Sequence, residues 1–195
     1  MKKTIVLFVS LILLASCKEN TKEPQEMETK EVTEEPLTVE PDKKKPLSPH
    51  TSAMAMVGDA HIHIDYSSPG MRNRMIFGGL LPYDAVWQAG AHNATWLETN
   101  KDLTIAGKEL KAGKYGFFVI PNEKEWTVIF NSNWNQHGKD DYNEKDDVLR
   151  FKVAPTLSEE IVEHLTYTVT KTNETSGTIK LAWEKVTIMF PFQIK

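Results

Sequence analysis

In two stretches, Thr178 to Trp183 and Val186 to Ile194, an apolar side chain recurs at every second position. Ile179, Leu181 and Trp183 alternate with Thr178, Lys180 and Ala182, and Val186, Ile188, Phe190, Phe192 and Ile194 alternate with Thr187, Met189, Pro191 and Gln193. A strand turns successive side chains to opposite faces, so this period of two buries one face and exposes the other. Leu165, Tyr167 and Val169 repeat the pattern, as do Leu149, Phe151 and Val153. Two segments, Tyr115 to Ile120 and Trp126 to Phe130, are apolar on both faces and are joined by Pro121-Asn122-Glu123-Lys124, which makes them a central hairpin. Gly107-Lys108, Ala112-Gly113-Lys114 and Asn173 to Gly177 punctuate further short runs. No amphipathic stretch of three helical turns interrupts them, and one short turn is expected where Thr156 is followed by Glu159. The expectation is an all-β, antiparallel sandwich or flattened barrel of about eight to ten strands. Residues 67–93, rich in Gly, Pro and aromatic side chains, form its one long loop.

This pattern occupies residues 51–195, the size of one domain. Two unlike pieces precede it. Lys2 and Lys3 lead an apolar run from Ile5 to Leu14, broken only by Ser10, and the small residues Ala15 and Ser16 follow. That is the layout of a secretory signal peptide over residues 1–16, too short to span a bilayer, which takes about 20 apolar residues. Leu14-Ala15-Ser16-Cys17 resembles the bacterial lipobox, and Cys17 is the only Cys of the chain. The resemblance implies that Cys17 carries a diacylglycerol, and acyl chains contribute about 0.8 kcal/mol per buried CH₂ to membrane attachment. Lys18, rather than Asp, after the lipidated position argues by the same resemblance against retention at an inner membrane. The expected address is the bacterial cell envelope, at the outer membrane, on its periplasmic face or at the cell surface. Residues 18–50 hold 5 of the 10 prolines, 15 charged side chains and no aromatic residue. Such a segment cannot bury enough apolar area to offset its ordering entropy, so 17–50 reads as a lipidated Cys followed by a disordered stalk.

The net charge is −4 and no Lys/Arg run exceeds Lys43 to Lys45. Electrostatic binding of nucleic acid has no footprint in such a chain. Walker loops, Gly-x-Gly-x-x-Gly, Gly-x-Ser-x-Gly, His-Glu-x-x-His and Cys pairs are all missing from the sequence, so no catalytic residue is assigned and the reading leans away from an enzyme.

Several motifs of the folded part resemble a known family. They are Ile64-Asp65-Tyr66-Ser67-Ser68-Pro69, Phe77-Gly78-Gly79-Leu80, Pro82-Tyr83, Val86-Trp87, Gly90-Ala91 with Ala94-Thr95, Ala112-Gly113-Lys114-Tyr115, Trp126 to Asn131, Asp147-Val148-Leu149-Arg150 and Leu181-Ala182-Trp183-Glu184. In order and spacing they are similar to the bacterial secreted domain-of-unknown-function family 2911. The resemblance implies a fold and a pattern, and no secure activity. The family's pattern after the Trp runs Arg-Thr-Gly-Ala-Asn-Glu-Ala-Thr, where this chain has Gln88-Ala89-Gly90-Ala91-His92-Asn93-Ala94-Thr95. Any role of that Arg or Glu therefore does not carry over.

The sharpest chemical feature is His61-x-His63, with Asp65 two residues on. On a strand these share a face, and two imidazoles can ligate a divalent transition metal such as Zn, Cu, Ni or Fe if a third ligand arrives. His92 and then His137 are the candidates for it. The alternative is a solvated strand face, where polar residues belong anyway. Arg72 and Arg74 could clamp an anion, or pair with Asp65, Asp84 or Glu98 and rivet the loop. Trp87, His92, Asn93 and Trp134 complete the candidate ligand-binding set, with Trp134 expected to be exposed among Asn and Gln. Asp140, Asp141, Glu144, Asp146 and Asp147 read as a solvated acidic loop.

The function expected is that of a lipid-anchored envelope binding or accessory module whose recognition end is built from 67–93 and 131–138. Its partners would be the membrane, through the anchor, and an envelope protein, a glycan or a small molecule. Two alternatives stand beside it: a metal-dependent hydrolase on His61, His63 and His92, and a structural partner of an outer-membrane assembly.

Overall fold

The computed structural model describes residues 46–195, so the expected signal peptide, Cys17 and most of the expected stalk lie outside the described residues. Ten strands follow: β1 His50–Val57, β2 Ala60–Ser67, β3 Trp96–Thr99, β4 Leu103–Ile105, β5 Lys108–Leu110, β6 Gly113–Ile120, β7 Trp126–Asn131, β8 Asp147–Val153, β9 Thr156–Asn173 and β10 Ser176–Ile194. They form a six-stranded sheet in the order β1-β2-β3-β6-β7-β8 and a four-stranded sheet in the order β5-β4-β10-β9. Every pairing is antiparallel. Each sheet keeps two edges, so of the two shapes expected the sandwich is the one formed. Among the described residues the only helical element is a single 3₁₀ turn at Glu144–Asp146, while Thr156, expected to cap a turn, opens β9.

The alternating residues meet between the sheets. Ile62, Ile64, Phe117, Val119, Trp126, Val128 and Phe130 from the large sheet face Leu165, Ile179, Leu181, Ile188, Phe190 and Phe192 from the small one, all within one buried cluster. In β10 the large buried side chains are odd-numbered up to Trp183, with the small Ala182 buried beside them, and even-numbered from Ile188 onward. A period of two cannot change phase without an irregularity, and the ladder is broken on both sides of Glu184, whose φ of 57° is left-handed. Glu184 Oε2 there accepts from the main-chain N–H of Ile76 (3.2 Å) and Phe77 (3.4 Å). The bulge thereby ties the long loop to the small sheet.

The loop between β2 and β3 is itself a core element. Ile76, Phe77, Trp87 and Ala89 are buried, with the Trp87 ring stacked on Trp183 at 5.7 Å and Phe77 edge-on to Trp126 at 4.8 Å. Its N-terminal part pairs with β9: Met71 N–H donates to Glu163 O (2.7 Å), and Leu165 N–H to Pro69 O (3.0 Å).

Candidate functional site

The outer face of the six-stranded sheet, turned away from the other sheet, has two unlike halves. Over β6 and β7, Phe118 and Ile129 point outward yet are fully buried, because Val86 and Ala94 from the β2–β3 loop and Tyr142 from the β7–β8 loop lie on them. This explains why the central hairpin is apolar on both faces. The two loops are joined main chain to main chain: Ala94 N–H donates to Gln136 O (3.0 Å) and Gly138 N–H to His92 O (2.7 Å). Lys139 Nζ also donates to Val86 O (2.8 Å).

Much of the stretch from Trp87 to Thr95 closes this cover. Trp87 exchanges two main-chain hydrogen bonds with Val119 (2.8 and 2.9 Å), and its indole N–H donates to Gly90 O (2.9 Å). Ala89, at φ 51°, turns its carbonyl inward to accept from Thr95 Oγ1 (3.0 Å) and from the Tyr167 hydroxyl (2.8 Å). Burial pushes the Tyr167 phenol well above its ordinary pKa, so it stays a neutral donor. A Cβ on Gly90 would come within 2.5 Å of Thr95 Oγ1, which is why no side chain fits there. Trp87 consequently leaves the ligand-binding candidates: at 5% exposure its ring belongs to the core.

The other expectations divide. Arg74 is a rivet, but not to a carboxylate: its Nε donates to Met71 O (3.0 Å) and a terminal nitrogen to Gly70 O (2.8 Å). Arg72 is exposed, and its backbone N–H donates to Glu163 Oε1 (2.8 Å). Trp134, expected on the open surface, is half-buried. The Lys114 ammonium sits 3.9 Å from its ring centroid and 3.3 Å from that of Trp96. Gly116 permits this, since a Cβ there would lie 3.3 Å from Trp134 Cα and 2.7 Å from the Phe118 ring. Asp147 also departs from the solvated loop expected of it. Its side chain, 4% exposed, accepts from Asn131 Nδ2 (2.7 Å) and the Tyr142 hydroxyl (2.9 Å), with Arg150 Nη1 at 3.2 Å as counter-ion. Burial, and then the bond to Asp147, raise the Tyr142 pKa.

At the border of the covered half, on β1 to β3, a cavity of about 260 Å³ opens. His50, Asp65 and Trp96 line its floor, and His92 and Asn93 from the end of the loop form its wall. His50 Nε2 lies 3.1 Å from Asp65 Oδ2, a pair within reach because the register sets His50 opposite Ser67 and Ser52 opposite Asp65. His92, at φ 62°, is one of five non-Gly residues in the left-handed region between Arg72 and His92. Such strain persists only where surrounding structure holds it. His92 and Asn93 were expected here; His50 was not, because it closes the Lys43-Lys44-Lys45-Pro46-Leu47-Ser48-Pro49 stretch and reads as stalk. The sequence carried no signal that would have found it, since its role depends on the β1–β2 register.

The four imidazoles singled out for a metal fall in three places. His61 and His63 stand on the outer face of β2, with rings 5.8 Å apart. His92 belongs to the cavity, and His137 Nδ1 pairs with Asp140 Oδ2 at 3.1 Å. Among the described residues no three His, Cys, Asp or Glu side chains gather to hold an ion.

No curated protein and no solved structure matches this chain. A family model does, over residues 48–192, nearly the whole of the described sandwich, and by that match the chain belongs to the family described as protein of unknown function, DUF2911.

Proposed function

We propose that the sandwich is the binding module of a lipid-anchored envelope protein, and that it takes one polar ring of sugar size in the cavity between His50, Asp65, His92, Asn93 and Trp96. The observation that carries this is the composition of the cavity. Asp65 offers acceptors, the Asn93 amide both donors and acceptors, the imidazoles either role, and Trp96 an aromatic surface. Convergent polar groups beside one aromatic ring fix the orientation of a hydroxylated ligand without any chemistry. A hydrolase on His61, His63 and His92 has less support, because His92 stands in the cavity wall, whereas His61 and His63 do not line that cavity. The anchor rests on Leu14 to Cys17 and the tether on the charged, Pro-rich sequence of residues 18–45, since His50 already opens β1.

Calorimetric titration of the protein with a panel of methyl glycosides tests the ligand. Saturable binding is expected in the wild type, lost in Asn93→Ala and Asp65→Asn, and kept in Arg72→Ala. Equal heats in wild type and Asn93→Ala, or none with any glycoside, would remove the proposal. Cys17→Ala is expected to release the protein from membranes while leaving its melting temperature unchanged. A wild-type protein that takes up no fatty-acid label in cells would end the anchor.

A further inference from the structure

At the β1 edge of the same outer face the cover is missing, and four metal-ligating side chains stand together. The β1–β2 register sets Met54 opposite His63 and Met56 opposite His61. Directly opposed residues of an antiparallel pair share a face, with Cβ atoms about 4.5–5.5 Å apart. Ala55 and Val57 alternate with these methionines and are less exposed, while Met54 and Met56 are 56% and 53% exposed. Exposed thioethers gain nothing from burial, and two of them facing two imidazoles form a donor set. His63 Nε2 is buried without a hydrogen-bond partner. An orphaned buried nitrogen of that kind is what a ligated cation would satisfy.

The donors also select the metal. Zn²⁺ takes its protein ligands from Cys, His and carboxylates, and no three of these gather here. Glu98 lies opposite His63 on β3, but it does not complete such a group. Thioether sulfur favours the soft monovalent ion Cu(I), and imidazole accepts it. We propose that Met54, Met56, His61 and His63 form a surface site for Cu(I), adjoining the cavity around Asp65 at Trp96 but sharing none of its polar side chains. The Trp96 ring, 4.9 Å from that of His63 and edge-on to it, walls one side of the site. The ion enters and leaves as Cu(I), with no change of oxidation state.

The test uses the full chain carrying Cys17→Ser, which removes its only thiol. Ag(I), a redox-inert substitute, is titrated while the methionine methyl signals are followed by NMR, and Cu(I) affinity is read against a chromophoric chelator. One equivalent is expected to bind, shifting Met54 and Met56 and leaving Met71, Met75 and Met189 in place. The double variant Met54→Leu, Met56→Leu keeps side-chain volume at two exposed positions. It is expected to lower Cu(I) affinity by more than about 100-fold, because changes behind a ligand alone cost 10–100-fold. His63→Gln is expected to weaken it as well. Unchanged affinity in the double variant, shifts at other methionines, or displacement of Ag(I) by equimolar Zn²⁺ would each overturn the site.

Discussion

Over β6 and β7 the large sheet is covered on both faces, by the other sheet within and by two loops without. Over β1 and β2 it is covered on one. The covered half spends its outward positions on packing: Phe118, Ile129, Val86 and Tyr142 make a second small core, and the loop residues above them are held by main-chain bonds and by the Trp87–Gly90–Thr95 lock. The bare half presents Met54, Met56, His61, His63 and Asp65, side chains with chemistry and little packing duty. Where the cover ends, its last residues, His92 and Asn93, wall a cavity over the first uncovered strands. A loop that looks like a recognition flap by composition is therefore mostly scaffold, and only its rim is free to bind.

The contrast breaks first in stability. Phe118→Ala is expected to cost about 3–5 kcal/mol in denaturant unfolding, as for a fully buried Phe. A cost near that of a surface change would mean the loops do not cover β6. Asp147→Ala comes next, at about 2–3 kcal/mol, since it leaves the Tyr142 hydroxyl without its acceptor and takes one of two partners from Asn131, which keeps Asn143 O, and from Arg150, which keeps Glu144. An unchanged midpoint would place Asp147 in solvent after all. Trp134→Ala should lose about 1–2 kcal/mol from half-burial and its contact with Lys114. Arg74→Ala is expected to cost about 1 kcal/mol through its two carbonyl bonds, while Arg72→Ala stays within about 0.5 kcal/mol. Equal effects at the two arginines would contradict their different roles. Smallest of all, Met56→Ala and His61→Ala on the bare half should fall within about 0.5 kcal/mol.

The same division explains what could be read from the chain. Strands with one buried face announce themselves, and β8, the second half of β9 and most of β10 stand where the alternation put them. β1 was invisible because its inward residues, Ala53 and Ala55, are small and its outward ones, Met54 and Met56, are apolar, which erases the contrast between faces. Trp87 and Trp134 look alike by composition. Only the long-range pairing of Trp87 with Val119 and the fit of Trp134 over Gly116 decide that one is core and the other a half-buried cover. His50 and Asp65 meet through a register fixed by the turn at Gly58, where φ is 54°. Sites assembled across strands are not written along either one.

The claim that function sits at the end of the cover is tested most directly by amide chemical-shift mapping of the protein with the glycoside that binds best. The account predicts that the largest shifts fall on Asp65, Ser67, His92 and Asn93, around the His50–Asp65 pair. Shifts concentrated instead on the exposed segment 156–163 of β9, or on the Pro82 to Val86 stretch of the loop, would contradict it.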